Sequence, residues 1–223
     1  MRVVVLLPAY NEEAVIGPVI ESAKAHADEV VVIDDGSSDG SARIAREHGA
    51  IVLRHVLNRG LGAALGTGFL YARQHGADVA VTLDADGQHD PSEIPGFVEA
   101  IRQGASVVIG SRMLGQEGMP WHRRTANWLG NLTTLLLFGA WVTDSQSGYR
   151  ALSAHALDRM DIRSNRMEVS SEIIAEARRK RLSLKEIPIR VIYTEYSLSK
   201  GQSFTVGIGT LLKLLLHRMS SWV

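Results

Sequence analysis

Short runs rich in Val, Ile and Leu alternate with stretches of helical spacing through the first half of the chain, and this alternation constrains the fold most. Residues 3–7, 30–33, 51–53, 79–83 and 107–109 read as strands, with helices over 14–26, 41–48, 62–75 and 91–103. Strand-helix-strand units return by right-handed crossovers, which gives an α/β fold with a mostly parallel sheet and helices on both faces. The regularity loosens after Ser111. Residues 115–121 read as a loop, 125–141 as an apolar helix and 168–180 as an amphipathic helix. Residues 184–187 and 189–193 read as late strands broken at Pro188. No repeat or linker divides the 223 residues, so a single domain is expected over 1–202, followed by an amphipathic helix over 203–223.

Lys and Arg total 24, as do Asp and Glu, so no global positive field calls for nucleic acid. The chain has no cysteine, which removes disulfides, thiolate zinc sites and cysteine nucleophiles and fits a reducing compartment. Met1 leads directly into strand-like sequence with no signal-peptide pattern, and no apolar run reaches the roughly 18 residues of a spanning helix.

Parallel sheets bind ligands at the carboxyl ends of their strands, and three such ends are loaded here. After the first strand, Pro8-Ala9-Tyr10-Asn11-Glu12-Glu13 offers a strand-stopping proline, an aromatic ring that can stack on a base, and carboxylates. Asn11 and Glu12 equally suit capping of the next helix. After the second, Asp34-Asp35-Gly36-Ser37-Ser38-Asp39-Gly40 offers carboxylates for a base N–H or ribose hydroxyl, and also reads as an ordinary turn and cap. After the fourth, Asp84-Ala85-Asp86 places two carboxylates one residue apart, where both can project to one side. Such a pair suits a hard divalent cation completed by water and phosphate oxygens, although D-x-D alone is commonly just an acidic turn.

Two nucleotide motifs are absent. Gly60 to Gly68 has Leu65 where G-x-G-x-x-G needs its third glycine, and no G-x-x-x-x-G-K-[ST] occurs. The small residues at 62–68 suit a helix packed closely on the nucleotide loop or the sheet. The histidines show no ligand spacing, and His89, nearest the acidic pair, suits a polar supporting shell.

The ordered series P-A-Y-N-E, V-I-D-D-G-S-S-D-G, N-R-G-L-G-A-A, L-D-A-D-G-Q-H and G-S-R closely resembles family 2 glycosyltransferases. Within them it is similar to dolichol-phosphate mannose synthases and polyprenyl-phosphate glycosyltransferases, a likeness extended by D-S-Q-S-G-Y-R at 144–150 and Y-S-L-S-K-G at 196–201. The resemblance implies a GT-A fold and a nucleoside-diphosphate sugar donor of GDP-mannose or UDP-glucose type. It implies Pro8, Tyr10, Glu12 and Asp35 at the base and ribose. Asp84 and Asp86 would engage Mg²⁺ or Mn²⁺, with Ala85 and Gln88 beside it and Gln88 a further metal or substrate contact. Arg112 and Lys200 would meet donor or acceptor phosphates. The GDP-mannose synthases usually carry an arginine six residues before the Lys200 position, where this chain has Thr194, with Arg190 out of register.

Breaking the sugar-diphosphate bond leaves negative charge that a cation, Arg112 and Lys200 would stabilise. A lipid-phosphate acceptor is already anionic and needs orientation more than a base. Asp144 would orient sugar or acceptor, or act as base for a hydroxyl, and a loop aspartate fixing a turn fits it as well. Arg150 would bind phosphate or pair with Asp144. Arg123 and Arg124, after Pro120-Trp121-His122, suit the phosphate of a membrane-borne acceptor. The Leu-rich tail at 204–223 suits a membrane interface or a separate small membrane protein, placing the enzyme peripherally at the cytoplasmic face. Transfer to a hydroxyl acceptor is the same-fold alternative. A sugar nucleotidyltransferase is the alternative from another class, and the N-terminal glycine-rich loop it needs is missing.

Overall fold

The computed structural model describes residues 1–114, 131, 135, 141–190 and 192. Seven strands, β1 (Val3–Ala9), β2 (Glu29–Asp34), β3 (Ile51–Arg54), β4 (Val79–Thr82), β5 (Val107–Ser111), β6 (Arg150–Ser153) and β7 (Leu184–Pro188), form one sheet. Their order is β3-β2-β1-β4-β6-β5-β7. All pairings are parallel except those of β6, which runs against both β4 and β5. The helices whose ends are described are α1 (Ile16–Lys24), α2 (Ser41–Glu47), α3 (Leu61–Gln74), α4 (Ile94–Arg102), α5 (Ala154–Arg159) and α6 (Val169–Arg179), with a 3₁₀ turn at Pro91–Glu93 before α4.

The sheet is buried on both faces, which is why its central strands read as unbroken apolar runs. On β1, Val5 and Leu7 join α1 and α4 through Ile16, Ile20, Phe97 and Ile101. Val4 and Leu6 point the other way, towards Phe69 of α3, Leu157 of α5 and Ile173 of α6. At roughly 25 cal/mol per Å² of apolar area, these two layers are the main source of stability.

Most expected elements are present within a residue or two of their predicted ends. Pro8, expected to stop the first strand, instead lies inside β1, opposite Ile33. Pairing with β4 extends only to Leu6, so the missing N–H of Pro8 faces a side where the ladder has already ended. The late strand expected over 189–193 is not formed at 189, 190 or 192; β7 ends at Pro188. Strand β6 was not anticipated: R-A-L-S is short and opens on an arginine. The expected loop at 115–121, most of the expected helix at 125–141, and the tail at 203–223 lie outside the described residues. Among the described residues, no helix is long and apolar enough to cross a membrane.

Of the α3 glycines, Gly68 packs on the sheet as expected, Gly62 packs instead on the loop joining α5 to α6, and Gly66 meets nothing among the described residues. Gly68 lies against Leu6 and Ile33, where a Cβ would sit 3.1 and 3.0 Å from their methyl carbons. Gly62 lies under the loop joining α5 to α6, so close that a Cβ would overlap Ser164 O. That loop is pinned by Glu172, whose carboxylate accepts from Arg163 N and Ser164 N, both at 2.9 Å, while Ala63 N donates to Asn165 O at 3.1 Å. Gly62→Ala should therefore destabilise the protein by about 1–3 kcal/mol in chemical denaturation, as overpacking does.

Candidate active site

The first two strand-end loops are laced into one unit. Asp35 N donates to Ala9 O at 2.8 Å. Asn11, with φ at 56°, donates through its backbone to Ser37 Oγ at 2.9 Å and accepts from Ser38 N at 2.9 Å. Glu12 N donates to Ser41 Oγ at 2.8 Å, and Gly40 N donates to Glu13 Oε2 at 2.7 Å. The first helix has no side-chain cap; Glu12 closes its start through the backbone, its carbonyl accepting from Val15 N at 3.1 Å and Ile16 N at 3.0 Å, while the segment also bridges the two loops. Asp39 is desolvated, yet hydrogen bonds from Ser41 and the neighbouring backbone outweigh this and hold its carboxyl below the usual range. Tyr10 stands exposed beside this unit.

Asp35 is turned inward. It accepts from His55 Nδ1 at 2.7 Å, Arg59 N at 2.9 Å and Gly60 N at 2.7 Å, and so ties the loop after β3 to the end of β2. His55 Nε2 in turn lies 2.9 Å from Thr67 Oγ1 of α3. Asp34 is fully buried; its Oδ1 accepts from Ser37 N at 3.0 Å, and Arg54 Nε lies 3.0 Å from its Oδ2.

The D-x-D pair follows β4. The Asp84 side chain is 40% exposed, and Gly148 packs so tightly against it that any Cβ would overlap the carboxylate. Thr82 Oγ1 donates to Gly148 O at 2.7 Å, which fixes this approach. Gln88 donates to Asp86 from its backbone N, at 3.0 Å, and from its side-chain amide. Burial first, and the charge of Asp84 second, raise the Asp86 pKa. His89 is buried; its Nδ1 accepts from Asp84 N at 3.2 Å, and desolvation lowers its pKa against the pull of Asp84 and Asp86. It serves as a neutral support for the turn.

Because β6 is antiparallel, the segment before it reaches the same edge. Asp144, fully buried, accepts from Arg112 Nε at 2.6 Å, Nη2 at 2.7 Å and backbone N at 3.0 Å. Such a forked pair fixes both partners in plane and register. Glu186 of β7 supports it from behind, accepting from Thr143 N at 2.9 Å, Thr143 Oγ1 at 2.7 Å and Asp144 N at 3.3 Å.

Arg150 corrects an expectation. Its hydrogen bonds go not to Asp144 but to backbone: it is 2% exposed and donates to the carbonyls of Ser147, Ser170 and Ser145, each at 2.8 Å. Burial brings its pKa down to about 10, against the pull of Asp144 and Asp84. It is a strut beneath the loop that carries Gly148. Pro8, Tyr10, Glu12, Asp35, Asp84, Ala85, Asp86, Gln88, Arg112 and Asp144 all lie at or just beyond the carboxyl edge, while Arg124 and Lys200 lie outside the described residues. Sequence reasoning missed His55 and Glu186, since an isolated His after a strand and a Glu inside one carry no spacing signal.

The acidic pair fits a divalent cation. Its oxygens are hard donors, Asp84 is accessible, and the Asp86 pKa is raised by burial first and by the charge of Asp84 second, a cost that a bound cation would offset. Among the described residues no cluster of three or more His, Cys, Asp or Glu makes a closed cage, so water and phosphate oxygens would complete the coordination.

A seven-stranded, mostly parallel sheet with an acidic pair and an Arg–Asp fork at its carboxyl edge is the architecture of a GT-A glycosyltransferase. The glycosyl transferase family 2 model matches residues 4–160, and the chain belongs to that family. It is 36% identical over 238 residues to a UDP-N-acetylglucosamine–dolichyl-phosphate N-acetylglucosaminyltransferase of Methanococcus voltae, covering 96% of this chain and 95% of that one. It is 33% identical to an undecaprenyl-phosphate mannosyltransferase of Micrococcus luteus, covering 93% and 90%. Glucosyl-3-phosphoglycerate synthase of Mycobacterium tuberculosis, solved with Mn²⁺, UDP and phosphoglyceric acid, shares the fold with a TM-score of 0.75 at 21% identity, over 97% of this chain and 78% of that one.

Replacing Arg150 with methionine strands three buried carbonyls, so Arg150→Met should lower unfolding free energy by about 3 kcal/mol or more in urea titrations.

Proposed function

We propose that the chain is an inverting glycosyltransferase that moves a hexose from a nucleoside-diphosphate sugar, of GDP-mannose or UDP-glucose type, to a polyprenyl phosphate. The observation that carries the reading is the Arg112–Asp144 fork across the edge from Asp84 and Asp86, with His89 sensing all four charges. Asp84 and Asp86 would hold Mg²⁺ or Mn²⁺, with Gln88 alongside. When bound, the cation supplies positive charge against the departing diphosphate. Pro8, Tyr10, Glu12 and Asp35 lie where base and ribose would sit, and Arg112 offers a fixed positive charge to phosphate oxygens.

Asp144 supports the acceptor class. A hydroxyl acceptor needs a carboxylate to take its proton, and the Arg112 guanidinium paired with both Asp144 oxygens at 2.6 and 2.7 Å makes that carboxylate a poorer base. A phosphate oxygen can attack the anomeric carbon without losing a proton; the C–O bond to the diphosphate breaks as the new one forms on the opposite face. Full-length relatives named for dolichyl and undecaprenyl phosphate acceptors support the same class. Arg124 and Lys200 are further candidates for the phosphates. The apolar tail at 204–223 is the candidate contact with the cytoplasmic membrane face or with a small membrane protein. Membership of a glycosyltransferase family disfavours the nucleotidyltransferase alternative.

Purified protein with Mn²⁺ or Mg²⁺, a panel of nucleotide sugars and polyprenyl phosphate should yield a glycolipid and a nucleoside diphosphate. Neither product with any common donor would sink this reading. Asp86→Ala should reduce turnover at least about 100-fold, measured as nucleoside diphosphate released. Because the Asp86 pKa is raised, its carboxylate protonates at a higher pH than an ordinary aspartate. The metal concentration for half-maximal rate should therefore rise as pH falls into that range, and Asp86→Asn should remove the dependence along with most activity.

A further inference from the structure

We infer that the nucleotide site selects uracil over guanine, and that His55 sets this selection by occupying one face of Asp35. The inference rests on the proposed reading of Asp35 as the carboxylate that meets the base.

An ionised carboxylate offers about four lone-pair positions, two on each oxygen. Protein donors fill three of them. Asp35 Oδ1 accepts from His55 Nδ1 at 2.7 Å and from Arg59 N at 2.9 Å; Oδ2 accepts from Gly60 N at 2.7 Å. The side chain is only 6% exposed, and its place beside Tyr10 is set by the bond from Asp35 N to Ala9 O. One position, on Oδ2, remains for a ligand.

Guanine presents two adjacent donors, N1–H and the 2-amino group, which match a carboxylate through both oxygens at once. Here Oδ1 is already full, so one guanine donor would be desolvated without a partner, a penalty large enough to decide specificity. Uracil presents a single N–H between two carbonyl oxygens and needs one acceptor only. His55 is the removable part of this arrangement. The other two donors are backbone amides, whereas the imidazole is a side chain held in place by Thr67 Oγ1 at 2.9 Å. It is a positioning residue: it acts on the base through Asp35.

The test is equilibrium binding of UDP and GDP to the full chain with Mn²⁺ present, which needs no acceptor. UDP should bind at least about tenfold more tightly than GDP, the effect of one unpaired buried donor. GDP binding as tightly as UDP overturns the inference and leaves the glycosyltransferase reading standing. Failure of both nucleotides to bind overturns both readings. In His55→Ala, checked for native melting, the ratio of UDP to GDP affinity should fall severalfold, because Oδ1 regains an acceptor position. General destabilisation would weaken both nucleotides alike, and an unchanged ratio in the folded variant overturns the role given to His55. The wild-type comparison stands whether or not that variant folds.

Discussion

In a sheet whose other strands run one way, β6 enters from the carboxyl edge, and this reversal brings the segment ahead of it level with the ends of β4 and β5. Gly148 meets Asp84 there, and Asp144 meets Arg112. A parallel strand in the same slot would deliver that segment to the opposite edge. The arrangement holds because Arg150, the first residue of β6, is buried and braces the carbonyls of Ser145 and Ser147 at the bend.

The polar groups around the edge divide into two kinds. Asp35, Asp144 and Arg150 have partners supplied by the protein, which is what buried polar groups require. Asp84 and Asp86 are different: the first is partly exposed, and the second, though it accepts from Gln88, binds its proton more tightly than usual because of burial first and its neighbour's like charge second. Structural order is complete in the first set, while the second keeps two carboxylates close together at an accessible edge.

The fold was legible where periodicity and composition agree: central strands buried on both faces spell themselves out as Val and Ile runs, and helices fall between them. That the acidic pair and the loop residues Tyr10, Glu12 and Asp35 would gather at the carboxyl edge was legible because each follows an apolar strand run. What escaped depended on pairing across the chain. Strand β6 is short and begins with a charge that burial makes structural, so its pattern resembles a loop. For the same reason Arg150 looked like a phosphate ligand. Glu186 lies 42 residues from Asp144, and His55 20 residues from Asp35, separations at which no local signal survives.

The contact between Gly62 and the Ser164–Asn165 backbone bears on where the folding unit ends. The region matched by the family model stops at residue 160, just short of that loop. Beyond it come Glu172, which pins the loop; α6, which covers one face of the sheet; and β7, which pairs with β5 and supplies Glu186. A fragment cut at the family boundary would bare Phe69 and Leu152, lose an edge strand, and leave the Thr143–Asp144 amides without their acceptor. The cooperative unit thus runs past the span of the family model and includes at least β7, in keeping with relatives that align over 96% and 93% of the chain.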